Sequence, residues 1–402
     1  MWRERLKVPI LIVVIPLAAV AVHMAVIRPL VGLALSGSKE YVYRAYVWGD
    51  SDIFDYEKFP FRPIANAAPS FQFRPASAAE AFSPPEGLEA LLEASGTTAF
   101  LVIRDDTLLY EGYFNGFQRD SWFTSFSVAK SFDSALIGLA ISDGLIGSVN
   151  DAVVSYIPEL QGRGLDDLTI RNLLRMDCGV RYEQSDLTDF LTMQSDDSKT
   201  YYMPDLRALA LTIRPSREPI GSCYRYNNYY PILEGMILER ATGMPVSEYL
   251  QERLWKPLGM EYPATWSINQ EGDALEKMES GLNARAIDFA KFGRLYLNRG
   301  VWEGRQILPE AWVLESTAPE PKDDRPQTGT ELYSETDGYY QYHWWGTKRE
   351  NGLYDFAAAG HLGQYIFVRP DQNLILVRFG TETDTQVNWF LKFQELAQLL
   401  TR

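Results

Sequence analysis

The chain is poor in the side chains that metal and redox chemistry use. Its 402 residues include two cysteines and three histidines. Cys178 and Cys223 are far apart, and the histidines stand alone at His23, His343 and His361. C-x-x-C and H-E-x-x-H are absent, so no zinc or dithiol site is signalled locally. The G-x-S-x-G elbow that would mark an α/β-hydrolase is missing, as are G-x-G-x-x-G and the phosphate-binding P-loop. Positive charge is scarce too: 38 basic residues face 53 acidic ones, a net charge of −15, which excludes the electrostatic footprint of a nucleic-acid binder. The expectation is a protein that works without metal, organic cofactor or nucleic acid.

What is present is a serine and a lysine three apart, Ser127-Val128-Ala129-Lys130, between an aromatic stretch (Trp122, Phe123, Phe126) and an apolar run. Apolar positions 128, 132, 135, 136, 139 and 140 follow helical spacing, and Gly144 stands where a helix would stop. On a helix, positions i and i+3 share a face, so the lysine amine can reach the serine hydroxyl and take its proton. A second S-x-x-K, Ser36-Gly37-Ser38-Lys39, has a glycine inside and no periodic run behind it, and is read as linker.

Two further segments add to the first. Tyr226-Asn227-Asn228 precedes the apolar run Ile232-Leu233-Glu234-Gly235-Met236-Ile237-Leu238, a loop entering a helix. Gly360-His361-Leu362-Gly363-Gln364 lies between strand-like segments near the C-terminus. Y-x-N also occurs at Tyr113 and Tyr296, but order and surroundings favour Tyr226.

With these residues in view, the chain resembles the serine hydrolases of the β-lactamase and penicillin-binding family, whose motifs are S-x-x-K, Y-x-N or S-D-N, and K-T-G or H-x-G. The branch it most resembles is class C-like, with esterases, D-peptide hydrolases and 6-aminohexanoate-dimer hydrolases. The likeness spans roughly residues 85 to 400. Residues 167–176 resemble the family's "LTIRHLLTMTSG" stretch, with Cys178-Gly179 where Ser-Gly is usual, and residues 282–293 resemble its "ARDLARFG" helix. The resemblance implies Ser127 as the acylated nucleophile, Lys130 as its proton acceptor, and Tyr226 as the phenol that shares a proton with Lys130 and the leaving group. It implies an oxyanion hole from the backbone N–H groups of Ser127 and Gln364. Asn228 would hold Lys130 or the substrate, Gly363 would let the strand backbone approach the substrate, and Tyr182 and Trp345 are further candidate substrate contacts.

His361 takes the place of the family's third-motif cation. A lysine there would be a permanent charge for a β-lactam carboxylate, whereas a histidine, with an ordinary pKa of about 6.5, is mostly neutral at pH 7. That points to ester or amide substrates, small molecules or short peptides. The alternatives are a D,D-peptidase or weak β-lactamase acting on cell-wall peptides, or a non-catalytic penicillin-binding-like sensor, which would not need the Ser127, Lys130 and Tyr226 set. Nothing in the sequence speaks to oligomeric state.

Residues 8–27 form an apolar stretch preceded by Arg3, Arg5 and Lys7 and broken only by two prolines and His23, long enough to span a bilayer. It is longer than the apolar region of a signal peptide, about 7 to 15 residues, and is read as an uncleaved inner-membrane anchor. Residues 1–7 would be cytoplasmic and the catalytic domain periplasmic or extracellular. Residues 28–84 are expected to pack over that domain, their prolines preventing regular structure from residue 40 on. Residues 85–402 read as one α+β hydrolase domain with an antiparallel sheet from both chain ends and a helical region between. Helices are expected over 86–93 and 385–400, and strands over 99–104, 107–113, 340–346, 353–359, 364–368 and 374–379. Cys178 and Cys223 are either disulfide-linked or small buried packing groups.

Overall fold

The computed structural model describes residues 30, 38–185, 194–321, 323, 325, 327–328, 337–382 and 387–400. The anchor expected over residues 8–27 lies outside the described residues; among these, no helix is long and apolar enough to cross a membrane. The chain forms two compact units, residues 1–51 with 182–204, and residues 52–181 with 205–402.

In the smaller unit, helix α1 (Lys39–Val47) packs Tyr41 and Ala45 against Tyr202 of the helix Asp196–Tyr202. This corrects the expectation that residues 40–84 lack regular structure. The first proline of that stretch is Pro60, so nothing forbids a helix upstream of it. The cap is Ser38, from the S-x-x-K copy read as linker, whose hydroxyl accepts from the Tyr41 N–H at 3.1 Å.

The larger unit is built on an eight-stranded sheet drawn from both chain ends. Its strands are β2 (Arg74–Pro75), β3 (Thr97–Arg104), β4 (Thr107–Tyr113), β8 (Gly338–Gln341), β9 (Trp344–Lys348), β10 (Tyr354–Gly360), β11 (Gln364–Arg369) and β12 (Leu374–Gly380). The order is β8-β9-β10-β11-β12-β3-β4-β2, antiparallel except for the parallel edge pair β2 and β4. A second, four-stranded sheet joins β1 (Phe61–Ile64), β6 (Ala264–Ser267), β7 (Leu282–Ala284) and β5 (Phe123–Thr124). Residues 61–64 and 74–75 are thus sheet members, with Pro63 and Pro75 on edge strands where a missing N–H is tolerated.

The expected strand over 340–346 is two strands joined by a tight turn. Tyr342 (φ 39°) and His343 (φ 64°) adopt the left-handed backbone that a two-residue hairpin demands. Neither is a usual residue for such a turn, so the sequence hid it.

Helices α2 (Leu88–Ala94) and α6 (Trp389–Leu399) cover one sheet face, packing Leu92, Trp389 and Phe393 onto Phe100, Phe367 and Leu376. Helix α5 (Ala286–Leu297) sets Gly293 against Ile366 and Ile375, where a methyl group would lie 2.8 Å from Ile366. Across α5, Phe292 stacks at 3.6 Å on Phe132 of helix α3 (Ala129–Ser142). Residues 129–140 of α3 are buried on every face, the polar Lys130, Ser131, Asp133 and Ser134 included. It ends at Gly144 (φ 73°), the position its spacing implied.

Candidate active site

Helix α3 is the spine of the site. The chain leaves β5 through Ser125, whose N–H donates to the Leu282 carbonyl at 3.0 Å, and makes a 3-10 turn over Phe126–Val128 before α3 begins. Phe126 sits at φ 47°, a left-handed conformation costing a non-glycine residue about 1–2 kcal/mol. The strained residue abuts Ser127 and puts it one turn before Lys130. The Lys130 Nζ donates to Ser127 Oγ at 2.8 Å and to the Glu279 carbonyl at 2.7 Å. Ser127 is half-buried and Lys130 buried.

The Tyr226 ring lies against this amine, its centroid 4.9 Å from Nζ. What meets the amine is the ring; no hydrogen bond joins the Tyr226 hydroxyl to Lys130 among the described residues. The ring stacks on Trp345 at 6.1 Å and meets Tyr340 edge-on at 6.2 Å. Trp345, a predicted substrate contact, therefore walls Tyr226. Tyr224, two residues earlier, is fully buried, and burial pushes its phenol well above the ordinary range, which disqualifies it as a proton carrier.

The tyrosine segment is clamped from behind. The Arg225 N–H donates to the Met176 carbonyl at 2.8 Å, the Cys178 N–H donates to the Cys223 carbonyl at 2.7 Å, and a disulfide joins Cys178 to Cys223. Of the two states the sequence left open, the structure has the linked one. Asn227 turns the chain into helix α4 (Tyr229–Thr242), its Oδ1 accepting from the Tyr229 N–H at 2.9 Å. Asn228 begins that helix, and its Oδ1 is buried with no hydrogen-bond partner among the described residues. It makes no bond to Lys130, one of its two expected roles.

The third segment arrives from the sheet. Strand β10 ends at Gly360, His361–Gly363 makes a turn with Leu362 at φ 62° and Gly363 at φ 76°, and β11 begins at Gln364. A methyl group on Gly360 would lie 2.5 Å from the Ser125 carbonyl and 3.1 Å from the Ser127 nitrogen. The end of β10 is therefore pressed against the turn that carries Ser127. His361 is exposed, with its ring edge-on to Phe126 at 5.4 Å.

Gln364, expected to act through its backbone, also uses its side chain. Its Nε2 donates to the Gly380 carbonyl at 2.7 Å and the His361 carbonyl at 3.0 Å, while Oε1 accepts from the Gly380 N–H at 3.0 Å. Gly363 has a reason other than substrate access. A side chain there would meet the Arg378 guanidinium at 2.0 Å, and that guanidinium donates to the Gly363 carbonyl at 2.6 Å. Arg378 is fully buried, bonded also to the Ser95 carbonyl and Thr97 Oγ1 and stacked over Trp389, so it braces the turn from beneath.

Tyr182 lies in the smaller unit, buried, with its hydroxyl donating to Asp197. Sequence reasoning missed Gly360, Arg378 and the Glu279 carbonyl. A glycine in a motif showed its presence but not its neighbour, and a backbone acceptor leaves no side-chain signature. The Glu279 carboxylate itself is buried and bonded to Lys277 at 2.8 Å and Ser280 at 2.9 Å.

Comparison with known proteins agrees with this geometry. The model of the Beta-lactamase family matches residues 88–399. The 6-aminohexanoate-dimer hydrolase of Paenarthrobacter ureafaciens is 28% identical over 305 residues, covering 74% of this chain and 76% of that one. Among solved structures, a Bacillus anthracis protein proposed to be a 6-aminohexanoate-dimer hydrolase superposes with a TM-score of 0.70 at 23% identity, covering 87% of this chain and 94% of that one. A class C β-lactamase from Rhodobacter sphaeroides gives 0.57 at 16% identity, covering 79% and 98%. At these identities the superpositions speak for the fold.

Proposed function

The chain belongs to the Beta-lactamase family, and on that premise we propose that it is a serine hydrolase cleaving ester or amide bonds through an acyl-enzyme on Ser127. The observation that carries the reading is the 2.8 Å contact between Lys130 Nζ and Ser127 Oγ, made by an amine whose other recorded hydrogen bond goes to a carbonyl. As Oγ attacks the substrate carbonyl, the hydroxyl proton passes to Nζ. The developing oxyanion is stabilised by the N–H groups of Ser127 and Gln364, which the pressed contact at Gly360 keeps close. The leaving alcohol or amine takes its proton by way of Tyr226, whose ring lies against the same amine. Water then attacks the acyl-enzyme by the reverse route, releasing the acid and returning the proton to Ser127.

The substrate would lie along Trp345 and Asn228, with His361 exposed at the rim. The P. ureafaciens relative, a 6-aminohexanoate-dimer hydrolase, supports an amide or ester of modest size. The same proposal includes an anchor at residues 8–27 in the cell inner membrane with the hydrolase domain outside the cytoplasm. The Cys178–Cys223 disulfide supports it, since such bonds persist in oxidising compartments.

Turnover of a p-nitrophenyl ester tests the reading. Ser127→Ala should abolish it by roughly the hundred-thousandfold expected of losing a nucleophile, and retained turnover would overthrow the proposal. Penicillin should be a much poorer substrate than the ester. His361→Lys should improve its KM, since an ionic hydrogen bond to a carboxylate contributes about 1.5–3 kcal/mol. Fast penicillin hydrolysis indifferent to that change would favour a β-lactamase or D,D-peptidase.

A further inference from the structure

One turn along α3 from Lys130 sits Asp133, fully buried, and beside it Glu234 of α4, also fully buried, and His343 of the turn between β8 and β9. One side-chain oxygen or ring nitrogen from each lies within 4.8 Å of the other two. His343 uses both ring nitrogens, Nε2 on Glu234 Oε2 at 2.7 Å and Nδ1 on the Tyr340 hydroxyl at 3.0 Å. Its backbone is fixed as well: its carbonyl accepts from Ser131 Oγ at 2.7 Å and its N–H donates to the Leu174 carbonyl at 3.2 Å. Both Asp133 oxygens and Glu234 Oε1 have no donor among the described residues.

Three orphaned acceptors in a fully buried place are costly if both acids are ionised, several kcal/mol for each buried ion. A proton on each acid removes both charges, because Asp133 can donate to Glu234 and Glu234 to His343. A neutral imidazole then completes the series, Asp133 O–H to Glu234, Glu234 O–H to Nε2 of His343, and Nδ1–H to the Tyr340 hydroxyl. The charge balance agrees. Burial, and then the Glu234 carboxylate, push Asp133 well above its usual range. Burial raises Glu234 to about 8 and takes His343 down to about 3. The groups that face one another here are Lys130 and Asp133 from α3, Glu234 from α4, and Tyr340 and His343 from the hairpin; Lys130 acts on all three cluster members by Coulombic coupling. A divalent cation would have to displace the Glu234 bond of His343.

The three residues come from the elements that carry the site: the helix of Lys130, the helix launched by Tyr226 and Asn228, and the hairpin whose Tyr340 and Trp345 pack on Tyr226. We propose that Asp133, Glu234 and His343 are positioning residues, a proton-sharing cluster that locks these three elements in register and stays uncharged, so that no buried anion competes with Ser127 for the Lys130 amine. The proposal rests on the hydrolase reading of Ser127 and Lys130 for its role, but the shared proton can be seen without activity.

The experiment has two arms. Infrared spectroscopy of the Ser127→Ala protein at pH 7 should show a protonated-carboxyl stretch that Asp133→Asn removes, and metal analysis of the parent protein should find no bound ion. In ester turnover, Asp133→Ala should lower kcat about tenfold or more with a much smaller change in KM, and Asp133→Asn should restore a good part of it. The parent should lose kcat as pH rises past about 8, when Glu234 ionises, and Glu234→Gln should abolish that loss. A carboxyl band absent from the parent or unmoved by Asp133→Asn, a stoichiometric metal ion that Asp133→Asn releases, or an alkaline limb unchanged in Glu234→Gln would overturn the proposal. If Asp133→Ala does not fold, the Asn and Gln variants still decide it. If no ester is turned over, the hydrolase reading fails while the infrared arm still judges the cluster.

Discussion

Ser127 and Lys130 are held together by the pitch of one helix, whereas Asp133, Glu234 and His343 meet because three distant segments pack on one another. The first pair has a half-exposed serine over a buried lysine, which on the proposed reading exchanges a proton with a substrate. The second group is sealed, with its hydrogen bonds turned inward. A nucleophile needs access and a nearby acceptor, and a short motif can supply both. Keeping a lysine buried without a carboxylate against it requires control of every polar group around it. The wall of Tyr226, Trp345 and Tyr340 stands between the two layers, touching Lys130 on one side and His343 on the other.

The most severe test of the open layer is a double-mutant cycle. Lys130→Ala and Tyr226→Phe should each lower kcat by orders of magnitude, and the double variant should be little worse than the more damaged single one, because both serve one proton path. Losses that multiply would separate the two residues and break the layer into independent parts.

Next in size is Gly360→Ala. A methyl group 2.5 Å from the Ser125 carbonyl must push β10 off the Ser127 turn, and loss of an aligned oxyanion donor costs about a hundredfold to a thousandfold in kcat. The fold should survive, so the thermal midpoint should move far less than the rate. A variant with parental kcat would show that the sheet does not set the oxyanion site.

The clamp behind Tyr226 is expected to matter for stability first. Replacing both Cys178 and Cys223 by serine removes a link across 45 residues, and such links contribute about 2–4 kcal/mol. The denaturant midpoint should fall accordingly, with kcat falling less than in the Gly360 variant.

The smallest effect belongs to the sealed layer. The Glu234 carboxyl is raised to about 8 in the folded protein, so the folded state holds a proton that the unfolded chain releases near its ordinary pKa of about 4.3. This contribution to stability is full below that value and is lost as pH rises towards 8. His343, lowered to about 3, has the opposite sense: its contribution is present above about 6.5 and lost as pH falls towards 3. Thermal scans of Glu234→Gln should show a flatter decline between pH 5 and 8 than the parent. An identical slope would mean that the carboxyl does not retain its proton.

The open layer was legible in the sequence because helix spacing, a terminal glycine and a loop leading into an apolar run are local signals. They joined Ser127 to Lys130, the resemblance to the family brought Tyr226 and His361 to the same neighbourhood, and the sheet strands around His361 were read nearly as they stand. The sealed layer was not legible. Asp133 and Glu234 lie inside apolar runs where nothing local shows that they face each other, and His343 sits in a turn made by residues that rarely adopt it. Arg378 was hidden for a related reason, since an arginine in a strand gives no sign that it fills the space under Gly363. Helix α1 was overlooked because the prolines after residue 59 coloured the reading of the residues before them.

Intact-mass spectrometry of the purified protein after exposure to a fluorophosphonate tests the central claim most directly. One adduct should form, peptide mapping should place it on Ser127, and Ser127→Ala should carry none while Ser36 and Ser38 remain unmodified. An adduct on another serine, or the same adduct in Ser127→Ala, would contradict the account of Ser127 as the nucleophile that Lys130 serves.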